Sequence, residues 1–136
     1  MTIRRLAQDT EATAAVEFAL LAPVLIVFLL GAFGGGLALW YYNIVMEVAA
    51  ESARCLAISS SCSTTTTTCS DGTSACYVVN LATDRGLSNL TTSNVSINTA
   101  ATVESISFTT VTITYSYSVL SFAVPLSSTG SFPNNS

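Results

Sequence analysis

From Phe18 to Met46 the chain carries no Asp, Glu, Lys, Arg or His, and a single acid, Glu17, stands at the head of that run. About 20 apolar residues at 1.5 Å each span a bilayer core, so the run can cross with length to spare. A carboxylate carried to mid-bilayer costs roughly 2.5–3.5 kcal/mol, so Glu17 belongs at the interface or beside a partner charge. The chain is thereby constrained to one membrane helix, with the remainder folding outside the lipid.

Composition agrees. Half of the 136 residues are apolar and only 9% are charged, and the mean hydropathy is +0.58. Outside the spanning helix about ninety residues remain, enough for one small domain and not two. There is no Lys and no His, which argues against nucleic-acid binding, because a phosphate-neutralising surface needs clustered cations. The formal charge of −4 lies mostly beyond the helix. Arg4 and Arg5 precede the helix and only Arg54 and Arg85 follow it. The positive-inside rule therefore places the short N-terminus in the cytoplasm and everything after Trp40 outside. A cleaved secretory signal ending near Ala32 or Ala38 fits less well. The apolar run exceeds a 7–15-residue signal core and carries Glu17 and Pro23.

Cys55, Cys62, Cys69 and Cys76 are spaced evenly, seven residues apart. In an exported domain four cysteines predict two disulfides, with three connectivities open. Without a CxxC pair or a His, neither a zinc site nor a dithiol oxidoreductase is expected.

The pattern along the chain divides it into four parts. Residues 1–12 form a short charged, leader-like segment. Residues 13–42 form the transmembrane helix, closed by Trp40, Tyr41 and Tyr42 as an interfacial aromatic belt. Residues 43–58 continue that helix as an amphipathic stretch. Ile44, Val48 and Cys55 share one stripe with Val45, Ala49, Ala53 and Leu56 beside it, and Asn43, Glu47, Glu51 and Arg54 lie opposite. Residues 59–136 form a small exported domain. It opens with a Ser/Thr/Cys-rich loop at 59–72, including the run Thr64–Thr68, which needs disulfides to order it.

A second helix is expected from Thr73 to Leu87, with Tyr77, Leu81 and Asp84 spaced by turns and Gly86 near its end. Strand signals follow at Asn94–Thr99 and Ser105–Val119. The apolar phase changes from even (Ile106, Phe108) to odd (Val111, Ile113, Tyr115, Tyr117) at Thr109–Thr110, which predicts a bulge there. Leu120–Leu126 is apolar, Thr129–Phe132 reads as a short edge strand, and Pro133–Ser136 as a loose end. The fold class expected is α+β. A long N-terminal transmembrane and amphipathic helix carries one short helix and an antiparallel sheet of about three strands, stapled by disulfides.

The segment Thr13-Ala-Ala-Val-Glu-Phe-Ala-Leu-Leu-Ala-Pro-Val-Leu resembles the start of the TadE-like proteins. These are minor pilins, or pseudopilins, of the tight-adherence (Tad/Flp) pilus, within the type IV filament superfamily. The resemblance covers Ala12 to about Ala57. It implies cleavage by an aspartic prepilin peptidase on the cytoplasmic side, between Ala12 and Thr13, making Glu17 the fifth residue and Phe18 the sixth. The family commonly places Gly before the scissile bond, where this chain has Ala12. It further implies partners: the inner membrane, a major Flp-type pilin, sister pseudopilins, the Tad inner-membrane platform and the peptidase. The implied location is the bacterial inner membrane, with the C-terminal domain periplasmic, or extracellular once in a pilus.

After cleavage the new α-amine would be a cation at the membrane edge, which Glu17 of a neighbouring subunit could neutralise. Two opposite charges leaving water cost much less as a hydrogen-bonded pair than alone. The competing reading is a Glu near a helix N-terminus, favoured by the macrodipole and wetted by headgroups. Pro23 is read as lying in the first turns of the lipid helix, where its missing N–H is tolerated. Gly31 and Gly35 form a GxxxG pair within a glycine-rich patch, a basis for close helix packing.

No catalytic group, metal or cofactor is expected. Glu47 and Glu51 read as a solvated helix face, and the many Ser and Thr residues have no base beside them. Two functions fit: a minor pilin-like structural subunit acting in assembly, initiation or capping of a Tad-type adhesive pilus, or a membrane-tethered periplasmic binding module that never enters a filament.

Overall fold

A computed structural model describes residues 3–59, 62, 68–119 and 122–134, and the side chains of these from Thr13 onward except Val119. The Thr64–Thr67 stretch, Leu120–Ser121 and the side chain of Ala12 lie outside the described residues. The order is α1 (Ile3–Ile58), α2 (Ser74–Asp84), a single 3-10 turn (Thr92–Asn94), β1 (Val95–Val103), β2 (Ile106–Val119) and β3 (Phe122–Pro133). The α+β expectation holds: one long apolar helix, one short helix, a three-stranded antiparallel sheet and two disulfides. Contacts divide the chain into two units, Met1–Leu37 and Ala38–Ser136.

The first unit is helical from Ile3, and its described side chains are almost all exposed. α1 begins at Ile3 and runs unbroken through Pro23. There the ring frees the Ala19 carbonyl, which membrane helices tolerate through local adjustment.

The second unit has one core. The stripe read from the sequence supplies Ile44, Val45, Val48, Ala49 and Ala53 from α1; α2 adds Val78, Val79, Leu81 and Ala82; β2 adds Val111, Ile113 and Tyr115. Ser52 is also buried on this face, and its Oγ has no hydrogen-bond partner among the described residues. Helix α2 has defined ends. Thr73 Oγ1 accepts from the Cys76 amide at 3.1 Å, and Asp71 Oδ1 accepts from both the amide and the hydroxyl of Thr73. At the other end Leu87 N donates to Ala82 O and Gly86 N to Thr83 O, with Gly86 at φ +97°. That double bond is a Schellman motif, closed by the buried Leu87.

The sheet order is β1-β2-β3. β2 pairs with β3 without interruption from Phe108–Pro133 to Val119–Phe122. The irregularity expected at Thr109–Thr110 is in β1 instead, between Asn98 and Ala101. Thr99 and Ala100 both stand opposite Thr109, so β1 carries the extra residue. The sequence phase changed because Thr109, only 1% exposed, holds the core face in place of an apolar residue. Phe108 and the exposed Ile106 continue the opposite phase. Asn134 satisfies the distortion: its Oδ1 accepts from Thr109 Oγ1 at 2.6 Å, and its Nδ2 donates to Thr99 O at 2.8 Å. Pro133 and Asn134 are thus fixed rather than loose, the latter also donating its amide to Ser107 O.

β3 is longer than the Thr129–Phe132 edge strand expected, running through Pro125. As an edge strand it can hold a proline that donates no ladder bond.

Candidate membrane-assembly segment

Glu17 and Phe18 are exposed on α1, Phe18 at 70%. Phe18, Leu21, Leu25 and Phe28 follow at spacings of three and four, so they form one apolar ridge beginning immediately after the acid. Gly31 and Gly35 continue the same helix with open space where a Cβ would stand, leaving bare backbone for a close neighbour. By length and composition α1 can cross a membrane. The candidate span lies within Thr13–Ile58. The stretch from Thr13 to Leu37 offers one carboxylate, an apolar ridge and a small-residue patch, which suit lateral helix packing.

Trp40, Tyr41 and Tyr42 are not one uniform belt. The Tyr41 ring lies 4.7 Å from that of Tyr117 and 5.8 Å from that of Tyr115, so it is half-buried against the sheet. Trp40 and Tyr42 stay exposed, at 52% and 39%. Burial in this cluster raises the Tyr115 phenol above its ordinary pKa, with Tyr41 and Tyr117 contributing.

The disulfides join Cys55 to Cys62 and Cys69 to Cys76, one of the three connectivities left open by the spacing. The second is locked to α2. Asn80, itself buried, accepts from the Cys69 amide at 2.9 Å and donates to the Cys69 carbonyl at 3.0 Å. The sulfurs of Cys69 and Cys76, which lie near Asp71, are bonded to each other and so present no thiolate there.

Glu47 and Glu51 are solvent-exposed, as expected of a polar helix face, but they also share a cation. Arg85, the C-cap residue of α2, forms ion pairs with Glu47 and, at 2.5 Å, with Glu51. The hydrogen bond to Glu47 chiefly raises the Arg85 pKa. Tyr77 beside this clamp is raised by burial first and by Glu51 second. The sequence reading missed the clamp. Its signal was elimination: an i, i+4 acid pair in a domain holding only Arg54 and Arg85 as cations. Asn80 was missed as well, since it belongs to no motif.

Residues 12–54 match the family model described as TadE-like protein. No curated protein and no solved structure matches the chain. The matched segment contains Glu17, Phe18, the glycine patch, the aromatic exit and both acids of the Arg85 clamp. α2, both complete disulfides and the sheet lie beyond the TadE-like segment.

Proposed function

We propose that this protein is a minor pilin-like, or pseudopilin-like, structural subunit, non-catalytic, acting in assembly, initiation or capping of a Tad-type adhesive pilus. The observation that carries this reading is Glu17 beside Phe18 at the head of the bare apolar stretch of α1, inside a segment that matches the TadE-like family model from Ala12. α1 begins at Ile3, so Glu17 has no free helix N-terminus beside it, and a carboxylate carried into the bilayer core is costly unless a cation meets it. A neighbouring subunit's new α-amine at Thr13 would supply that cation. The apolar ridge and glycine patch then give adjacent helices surface to pack upon.

In this proposal the N-terminus faces the cytoplasm, the domain from Ala38 faces the periplasm, and the partners are the major pilin, sister pseudopilins, the Tad platform and the prepilin peptidase. The Ala12–Thr13 bond lies within α1, so the helix opens locally for the peptidase to cut.

The test is the N-terminal sequence and intact mass of the protein from native membranes, with and without the prepilin peptidase. A start at Thr13 that disappears without the peptidase is expected, together with loss of pilus assembly in a Glu17→Ala variant. An uncut chain whose Glu17→Ala variant supports normal piliation would overturn the proposal and favour a tethered module.

A further inference from the structure

The β2–β3 hairpin contains an unused apolar surface. Two contacts set its direction: Gly130, paired with Val111, meets Ala49, whereas Tyr115 and Tyr117 meet Tyr41. Moving up β2 therefore means moving back along α1, toward Ala38, where the helix enters this domain. The Val119–Phe122 pair lies two residues beyond Tyr117, about 7 Å further at strand rise. Phe122 is 78% exposed, the highest value among the exposed large apolar side chains, and Val124 on the same face is 37% exposed. Trp40 and Tyr42, also exposed, stand at the same end of the domain. No charged residue follows Glu104 in the chain.

We infer that the Phe122 end of this hairpin, with Trp40 and Tyr42, inserts into the headgroup–acyl boundary of the bilayer as a second, peripheral membrane contact of the exported domain. The inference rests on the reading of α1 as membrane-spanning. Trp and Tyr favour that boundary, where one end of the ring is apolar and the other is hydrated, and Phe belongs to the apolar faces that enter it. An uncharged hairpin carries no group that would resist entry. With the helix, the contact gives the domain two attachment points and fixes its orientation on the lipid surface. Extraction into a filament would then break the hairpin contact as well as withdraw the helix.

Trp40 is the sole tryptophan, which makes the test direct. The full chain is reconstituted in phosphatidylcholine vesicles with and without brominated acyl chains. Three forms are compared: the native protein, Phe122→Trp in a Trp40→Phe background, and Ile106→Trp in the same background as a reference at the far end of β2. The tryptophan of the Phe122→Trp form should lose about half its emission to brominated lipid, consistent with interfacial depth. It should also be quenched by aqueous iodide several-fold less than that of the Ile106→Trp form. If brominated lipid quenches Trp40 but not the Phe122→Trp form, the inference fails and the spanning helix stands. Shielding of that form from both quenchers would mean a protein covering, and overturns it too. If Trp40 itself escapes brominated lipid, the spanning reading fails first.

Discussion

Gly130 of β3 lies so close to the Ala49 carbonyl of α1 that no Cβ fits between them. The contact is backbone against backbone, so no flexible side chain can yield. Gly130→Ala should push α1 off the sheet and cost about 2–3 kcal/mol, in the range of overpacked cores. Chemical denaturation of the full chain in detergent measures this. An unchanged midpoint would show that helix and sheet are not held at that separation.

The β1–β2 turn is strained in the opposite sense. Glu104 and Ser105 both adopt positive φ, 50° and 72°, in the two-residue loop between the paired Val103 and Ile106. A turn with two left-handed residues favours Asn-Gly, and each ordinary residue there costs about 1–2 kcal/mol. Ser105→Gly should therefore stabilise the protein by about 1 kcal/mol, read as a raised denaturation midpoint. A lowered midpoint would contradict the turn geometry.

These two sites show where the sequence was readable. The apolar run, the helical stripe from Ile44 to Ala53, the start of α2 and the alternation of β2 were legible because period and capping chemistry are local. α2 ends at Asp84, short of the Leu87 expected, because Gly86 takes a positive φ and Leu87 N turns back to Ala82 O. Glu104-Ser105 was not, since it lacks Asn or Gly, and so β1 was expected to stop near Thr99 when it continues to Val103. The bulge was placed on the wrong strand because Thr109, polar and buried, breaks the apolar phase that marks a core face. Its partner Asn134 lies 25 residues away, beyond any local pattern. The TadE-like segment was legible from its motif. The cysteine pairing was not, because equal spacings leave three choices, and only the position of Cys76 on α2 beside Asn80 separates them.

Disulfide mapping by peptide mass should recover Cys55–Cys62 and Cys69–Cys76. Each closes a loop with a sequence separation of 7, for which chain entropy alone gives about 2–3 kcal/mol. Replacing Cys69 and Cys76 together by Ser should cost more than replacing Cys55 and Cys62. Cys76 is 3% exposed and Cys69 is held by both ends of the Asn80 amide, so two polar hydroxyls would enter a buried, hydrogen-bonded site. Equal losses would mean that the Asn80 clamp adds nothing.

Arg85 ties the end of α2 to α1 through Glu47 and Glu51. Its side chain is 33% exposed and those of the acids are 60% and 44% exposed, so water and salt screen the network. Arg85→Gln should cost about 0.5–1 kcal/mol at low ionic strength, part of it from the i, i+4 repulsion left between the two acids. The loss should shrink in high salt. A salt-independent loss would point to packing of the Arg85 stem instead.

Alkaline stability follows from the two perturbed phenols. Tyr77 and Tyr115 are both raised above the ordinary value of 10.0, chiefly by burial. In the unfolded chain these phenols ionise first, so the folded state retains protons that the unfolded state has lost. Stability from this source is complete below the unfolded pKa and falls as pH rises through the higher folded values. Denaturation midpoints should hold up to about pH 10 and decline above it. Tyr115→Phe should flatten the decline, because its ring remains against Tyr41 while the titrating hydroxyl is gone. Tyr77→Phe should do the same beside Glu51. If both variants decline as steeply as the native protein, the loss arises elsewhere and these two phenols are not its cause.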